Sequence, residues 1–181
     1  MKKLSHFDAK GTPRMVDVSS KPATRRTAYA QAFVHIRPTV LKKLPENPKG
    51  NPLEIARIAG ISAAKRTSEL IPLCHPLSLT HADVEVTLEE RGVRIVASAS
   101  TTAQTGVEME ALTAAAVAAL TVYDMVKALD KSIEIRDLYL LKKTGGKSGT
   151  FRRKQVPEPL PYGRGSVRSR DRKGAVSGKE A

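Results

Sequence analysis

The order in which strand-like and helix-like segments follow one another along this chain restricts its fold more than any other feature. Four stretches alternate apolar and polar residues as a strand does, and two longer stretches begin with helix-start signals. In chain order the six segments are 27–36, 51–71, 80–88, 93–99, 105–129 and 133–141. The order β-α-β-β-α-β is that of the ferredoxin-like fold, an antiparallel sheet with two helices on one face. We therefore predict an α+β sandwich of this type.

The boundaries of these segments carry recognisable signals. Asn51 as N-cap, Pro52 and Glu54 begin the first helix, and Pro72 ends it near residue 71. Residues 105–108, Thr-Gly-Val-Glu, read as a capping box that begins the second helix.

The two central strands are predicted to form a hairpin with its turn at residues 89–92. In the last strand the apolar phase slips at Arg136-Asp137, which indicates a β-bulge.

The apolar faces of the strands define the predicted core. Aromatic residues make up 4% of the chain and Trp is absent, so the core must consist of Ala, Val, Leu and Ile. The predicted inward residues are Ala28, Ala30, Ala32, Val34 and Ile36, then Ala82, Val84, Val86 and Leu88, then Val93, Ile95, Ala97 and Ala99. The second helix is rich in alanine, which lets a neighbouring element approach closely.

The last thirty residues differ in composition from the rest. They carry +6 of the formal net charge of +13, and from residue 156 they are rich in Pro, Gly, Ser and Arg without periodicity. We predict one domain over residues 1–151 and a basic, disordered tail over residues 152–181. Residues before 25 and residues 38–49 lie outside the six segments and are predicted to form a small additional subdomain.

Cysteine content and hydropathy bear on the cellular compartment. A single cysteine, Cys74, makes no internal disulfide and favours a reducing compartment. No apolar run follows the two N-terminal lysines, and the longest mostly apolar run, 112–123, is too short to span a bilayer. We expect a soluble, cytoplasmic protein.

Residues 72–76, Pro-Leu-Cys-His-Pro, form a loop between the first helix and the second strand. The prolines fix the backbone around Cys74 and His75, and a rigidly held imidazole suits acid–base chemistry or base recognition. A simple proline-framed connection is the alternative. A Cys–His nucleophile pair is disfavoured because adjacent residues in an extended segment point apart.

The second helix carries carboxylates near both ends. Glu108 is explained by the capping box, and Glu110 suits the positive helix terminus without any ligand. Asp124 and Lys127 face the same way, either as a surface ion pair or as an acid–base pair with coupled protonation. Glu110 and Asp124 are some 21 Å apart along a helix that rises about 1.5 Å per residue. If both function, the pocket must form between subunits, so we expect an obligate oligomer.

Basic side chains accompany glycines in two loops. Residues 142–149 read Lys-Lys-Thr-Gly-Gly-Lys-Ser-Gly, whose backbone N–H groups could hold a phosphate with Lys147 adding charge. The segment is not a Walker A loop, since Leu141 stands where glycine is required. Lys49-Gly50 is a weaker case, and a solvated basic turn is the alternative for each. A metal site at His75, His81 and Asp83 is disfavoured, because strand exposure explains the last two.

Several strings of residues form an ordered pattern over about residues 4–151. The longest are 70–77, LIPLCHPL, and 105–113, TGVEMEALT; the shorter ones are 15–19, 56–61, 64–67, 123–125 and 145–149. In these strings the chain resembles the MoaC family of molybdenum cofactor biosynthesis, the cyclic pyranopterin monophosphate synthases. The resemblance implies a lyase that rearranges 3′,8-cyclo-7,8-dihydro-GTP, closes a cyclic phosphate and releases pyrophosphate. It also implies a ferredoxin-like fold with a small additional subdomain, and a hexamer built as a trimer of dimers with sites at the dimer interface.

The resemblance further implies roles for individual residues. Asp124 is implied as the acid–base catalyst, with Lys127 beside it and Lys49 as the other catalytic lysine. His75 is implied in catalysis and in substrate binding. The other implied substrate-binding residues are Leu73, Cys74, Glu108, Met109, Glu110, Arg26 and Lys147, of which the last two would contact phosphate. We expect no metal site and no tightly bound cofactor, with a divalent ion accompanying the triphosphate left open.

The main alternative function is an RNA-binding module on the same frame. The basic tail and a sequence pI near 10.1 favour it. Such domains stack bases on aromatic residues of the central strands, and segments 27–36 and 93–99 lack that pattern. We therefore expect a small-molecule substrate and no specific nucleic acid.

Overall fold

A computed structural model describes Phe7 and residues 10–154 of the chain. The strands are β1 (Thr24–His35), β2 (Leu79–Glu89), β3 (Gly92–Ala103), β4 (Glu134–Thr144) and β5 (Phe151–Arg152). The helices are α1 (Pro38–Leu41), α2 (Pro52–Ala64), α3 (Thr67–Leu70) and α4 (Glu108–Val126), with a 3-10 turn at Leu44–Glu46. The predicted order β-α-β-β-α-β is therefore confirmed, with short additions.

The described strands form one antiparallel sheet in the order β2-β3-β1-β4-β5. The first four have the ferredoxin-like order, so the predicted fold class is confirmed. Glu89 pairs with Gly92, which closes the predicted β2–β3 hairpin around two residues. The predicted bulge is also present: Gln31 pairs with Tyr139, but Phe33 pairs with Arg136, and Asp137 has a φ of 53°.

The core lies between the sheet and the two long helices, α2 and α4. The predicted inward residues of β1 and β3 are all fully buried. Leu88 of β2 is wrongly predicted, because its side chain is 48% exposed. Alternation alone does not show how far the helices cover the face of the sheet. Leu88 lies beside the hairpin, at the end of an edge strand.

Within the described residues, α4 is long and apolar enough to cross a membrane, but more than half of it is buried in this core.

The first predicted helix is shorter than expected. Asn51 caps α2 as predicted, since its Oδ1 accepts hydrogen bonds from the N–H groups of Leu53 and Glu54. The helix ends at Ala64, however, and α3 is separate. The Thr67 hydroxyl donates to the carbonyls of Ala63 and Ala64. This buried side chain therefore competes with main-chain N–H groups for the carbonyls at the end of α2.

The capping box predicted for α4 is wrong. Its N-cap is Val107, which makes no side-chain capping bond, and Glu108 is the first helical residue. The Glu108 carboxylate instead lies so close to Gly106 that a side chain at position 106 would overlap it. The helix ends at Val126, three residues before the predicted end.

Residues 38–49, which lie outside the six-element frame, pack on the main structure. Val40, Leu41 and Leu44 are buried and belong to the main core. Phe7 pairs with Pro13 in an isolated bridge. At the other end β5 includes Arg152, and the predicted tail from residue 155 lies outside the described residues. The boundary predicted at 151/152 stays a prediction.

Replacement of Gly60 tests the close approach of α2 to α4. A Cβ at Gly60 would lie 2.8 Å from the Ala114 carbonyl oxygen and 3.0 Å from Val84 Cγ2. Alanine gains about 1 kcal/mol of helix propensity, but overpacking costs about 1–3 kcal/mol. We therefore expect Gly60→Ala to lower the melting temperature at fixed protein concentration. Ser62→Ala, on the exposed side of α2, is the control and should not lower it; a Gly60→Ala protein more stable than wild type would contradict this packing.

Candidate active site

Three of the predicted catalytic residues meet at the C-terminal end of α4. Lys127 Nζ lies 2.6 Å from Asp124 Oδ1, and Lys49 Nζ lies 3.6 Å from Asp124 Oδ2. Lys49 also donates to the Asp124 main-chain carbonyl at 3.1 Å. About half of each side chain is exposed, so the cluster is open to a ligand.

The two lysines control the protonation of Asp124. Its pKa is lowered first by the hydrogen bond from Lys127, then by the positive charges of Lys127 and Lys49. The same hydrogen bond and the charge of Asp124 raise the pKa of Lys127. These shifts favour the charged forms of Asp124 and Lys127, as expected for an ion pair.

Lys49 reaches the cluster from a loop that is distant in sequence. Asn47 accepts a hydrogen bond from the Lys49 N–H through Oδ1, and its Nδ2 donates to the Met125 carbonyl, each at 2.9 Å. Sequence reasoning did not select Asn47. The available signal was the turn-forming Asn two residues before Lys49-Gly50, because Asn side chains commonly bond to the backbone two residues on.

A second cluster lies at the N-terminal end of α4. Glu110 is 4% exposed, and its Oε2 has no hydrogen-bond partner among the described residues. Burial raises its pKa, and the negative charge of Glu108 adds to the rise. The pKa of Cys74 is raised by burial and then by the charge of Glu110, so the thiol lies within electrostatic reach of this carboxyl group. Leu73 and Met109 are half-buried beside them in sequence.

His75 connects this cluster to the N-terminal segment. Its Nε2 lies 2.8 Å from the Val16 carbonyl oxygen. A carbonyl only accepts hydrogen bonds, so Nε2 carries a proton and Nδ1 is the atom left for other partners. This hydrogen bond therefore joins the Cys74-His75 loop to Val16, fifty-nine positions earlier and within the string 15–19.

The two predicted phosphate ligands lie near one another at this same end of the fold. Arg26 donates to the carbonyls of Ala103 and Gln104, both at 3.0 Å, just before α4 begins. Gly146 packs so closely on the Arg26 guanidinium that a side chain would overlap it. Lys147 follows this glycine and is exposed. The glycine-rich loop therefore brings Lys147 to the neighbourhood of Arg26.

The structure does not bring the two clusters together within one chain. They lie at opposite ends of α4, some 21 Å apart at about 1.5 Å per residue. Arg26, near the start of β1, contacts the segment just before α4. Arg37, just beyond the end of β1, pairs with Asp130 after the end of α4. The sheet therefore keeps the two ends of the helix apart.

The residues weighed as metal ligands are separated. His81 lies 3.5 Å from the Ser98 hydroxyl, and Asp83 pairs with Arg57 at 3.3 Å. In the described part of the chain, no three His, Cys, Asp or Glu side chains are grouped as metal ligands would be.

These features define a ferredoxin-like α+β protein that carries a carboxylate paired with two lysines at one end of a helix and a buried carboxyl group at the other. The family model described as "MoaC family" matches residues 15–146. The chain belongs to the MoaC family.

Curated relatives match more than four fifths of this chain. A protein of Parvibaculum lavamentivorans is 53% identical over 157 residues, which are 84% of this chain and 98% of that protein. Proteins of Deinococcus radiodurans and Heliobacterium modesticaldum are each 54% identical, over 87% and 86% of this chain and 94% and 100% of their own lengths. All three are named cyclic pyranopterin monophosphate synthase.

Replacement of Glu110 tests whether its buried carboxyl group weakens the fold. The pKa of Glu110 is raised above its ordinary value of about 4.5 in the folded protein. The ionised group therefore lowers the free energy of unfolding as the pH rises above about 4.5, and it has no such effect below that pH. We expect Glu110→Gln to raise the melting temperature at pH 7 by about 2–4 °C, the shift that about 1 kcal/mol produces at this size. The gain should vanish below about pH 4.5.

Thermal unfolding between pH 3.5 and 8 measures this difference. Glu85→Gln, made on an exposed side chain of β2, is the matched control and should change stability little at any of these pH values. A Glu110→Gln protein that is less stable than wild type at pH 7 would contradict the interpretation.

Proposed function

We propose that this chain is a cyclic pyranopterin monophosphate synthase, a lyase of molybdenum cofactor biosynthesis. Its substrate is 3′,8-cyclo-7,8-dihydro-GTP, and its products are cyclic pyranopterin monophosphate and pyrophosphate. The names of the relatives support this function. The observation that carries it is the Asp124 carboxylate held between Lys127 and Lys49.

This cluster has the chemistry that the rearrangement requires. Opening one ring and closing two others moves several protons, and each transfer needs a donor or acceptor near the reacting atom. Asp124 accepts a proton as a carboxylate, and the ammonium groups of Lys127 and Lys49 donate. Their positive charge also stabilises negative charge that develops on phosphate oxygens during cyclisation.

The opposite end of α4 binds and orients the substrate in this proposal. Arg26 and Lys147 neutralise the phosphates, as their charges and their shared neighbourhood suggest. The residues assigned to the rest of the substrate are Leu73, Cys74, His75, Glu108, Met109 and Glu110. The Oε2 of Glu110, buried and unpartnered in the described chain, is available to a polar group of the substrate.

A complete site then requires two subunits. The two clusters are farther apart than one small substrate can span, so a second copy must bring its Asp124 end to the first copy's Glu110 end. We propose a homo-oligomer, a hexamer built as a trimer of dimers, with the site at the dimer interface. Closed symmetric assemblies of this type give every copy the same environment.

The remaining parts of the proposal concern cofactor and compartment. No step above requires a resident metal or organic cofactor, although a divalent ion can accompany the triphosphate. A single cysteine is compatible with the cytoplasm.

Replacement of Asp124 tests this function. Purified protein is incubated with enzymatically prepared 3′,8-cyclo-7,8-dihydro-GTP, and pyrophosphate release and pterin formation are followed. We expect wild type to turn over and Asp124→Asn to lose about 100-fold or more of kcat, because Asn cannot exchange protons.

The matched control is Asp83→Asn, which removes a half-exposed carboxylate of β2 that pairs with Arg57 and not with the lysines of the Asp124 cluster. It should keep near wild-type turnover. A correctly assembled wild type that releases no pyrophosphate would contradict the proposed function.

A further inference from the structure

We propose, on the basis of the synthase function put forward above, that Asn47 is a positioning residue that holds the Lys49 ammonium beside the Asp124 carboxylate. Asn47 follows the 3-10 turn and precedes α2, in the loop that also carries Lys49.

Every polar group of Asn47 is used. Its main-chain N–H donates to the Leu44 carbonyl, and its own carbonyl accepts from the Gly50 N–H. Its side-chain Oδ1 accepts from the Lys49 N–H, and its Nδ2 donates to the Met125 carbonyl. The first three bonds shape the loop, and the fourth ties the loop to α4.

The bond to Met125 fixes the loop at a particular point of the helix. The last carbonyls of a helix have no partner within it, and α4 ends at Val126. Two neighbouring carbonyls of this turn accept bonds from the loop: Met125 from Asn47 Nδ2, and Asp124 from Lys49 Nζ. Asn47 and Lys49 together therefore cap the C-terminal end of α4.

Lys49 needs this support because its other restraints are weak. Its side chain is 44% exposed and lies 3.6 Å from the Asp124 carboxylate, and exposed ion pairs of this type add little order. A lysine side chain has four rotatable bonds, so holding it costs conformational entropy. Gly50, with a φ of 93°, turns the chain immediately after Lys49. The backbone of Lys49 is therefore fixed mainly through Asn47.

Two substitutions separate the contacts. Asn47→Ala removes both side-chain bonds, and Asn47→Asp retains an acceptor for the Lys49 N–H but cannot donate to Met125. Because small misplacements of a reacting group are costly, we expect both variants to lose about 10- to 100-fold of kcat with a smaller change in KM. Wild-type kcat in either variant would overturn the proposal.

The pH profile of kcat is the readout that a merely structural role would not move. Among the described residues, Lys127 and Lys49 are the charged groups that act on Asp124, and both lower its pKa. When Lys49 is released, the pKa of Asp124 rises, so the acidic limb should move to higher pH in Asn47→Ala. An unchanged acidic limb would contradict positioning.

The control is Asn51→Ala, the same change four residues later. Within the described residues, the Asn51 side chain caps α2 by accepting from the N–H groups of Leu53 and Glu54, and it makes no hydrogen bond to α4. This variant should lower the melting temperature while keeping the wild-type pH profile and kcat. If Asn51→Ala loses as much kcat as Asn47→Ala at an equal loss of melting temperature, Asn47 acts only through stability. An inactive wild type would instead refute the proposed function, so the two failures are distinguishable.

Discussion

The close packing of α4 on the sheet and on α2 is the constraint on which the rest of the structure depends. Alanines 111, 114, 115, 118 and 119 are all buried, and Gly60 of α2 lies where even a methyl group would press on the Ala114 carbonyl. Small side chains let the backbones approach, and the resulting contact leaves little room for the helix to shift. The ends of α4 are therefore fixed relative to the sheet, and both candidate clusters sit on those ends.

The two ends of this helix offer different environments. At the N-terminal end, burial keeps Glu110 away from water and raises its pKa, which favours the neutral acid. At the C-terminal end, two ammonium groups lower the pKa of Asp124, which remains an exposed carboxylate. One helix thus carries carboxyl groups whose pKa values are shifted in opposite directions, an arrangement that suits separate roles in binding and in proton transfer.

Hydrophobic alternation predicted the sheet well because the inward faces of β1 and β3 are continuous. It failed at Leu88, which is exposed although it lies on the apolar face of β2. Periodicity shows which residues share a face, but it does not show whether another element packs on that face. The capping box failed because Glu108 bends back to Gly106, and the first helix broke early because the Thr67 hydroxyl binds the carbonyls of α2. The pairing of Asp124 with Lys127 follows from helical spacing. The approach of Lys49 depends on a tertiary contact through Asn47, which spacing cannot reveal.

The most direct test of the shared-site account is complementation between two inactive variants. His75→Ala damages the Glu110 end, and Asp124→Asn damages the opposite end of the same helix. The variants are unfolded together, refolded as mixed oligomers and assayed for pyrophosphate release. If each site combines the two ends from different copies, half of randomly mixed dimers hold one intact site, and about a quarter of wild-type activity should return. Activity no higher than that of the separate variants, in oligomers shown to be mixed, would contradict a site shared between subunits.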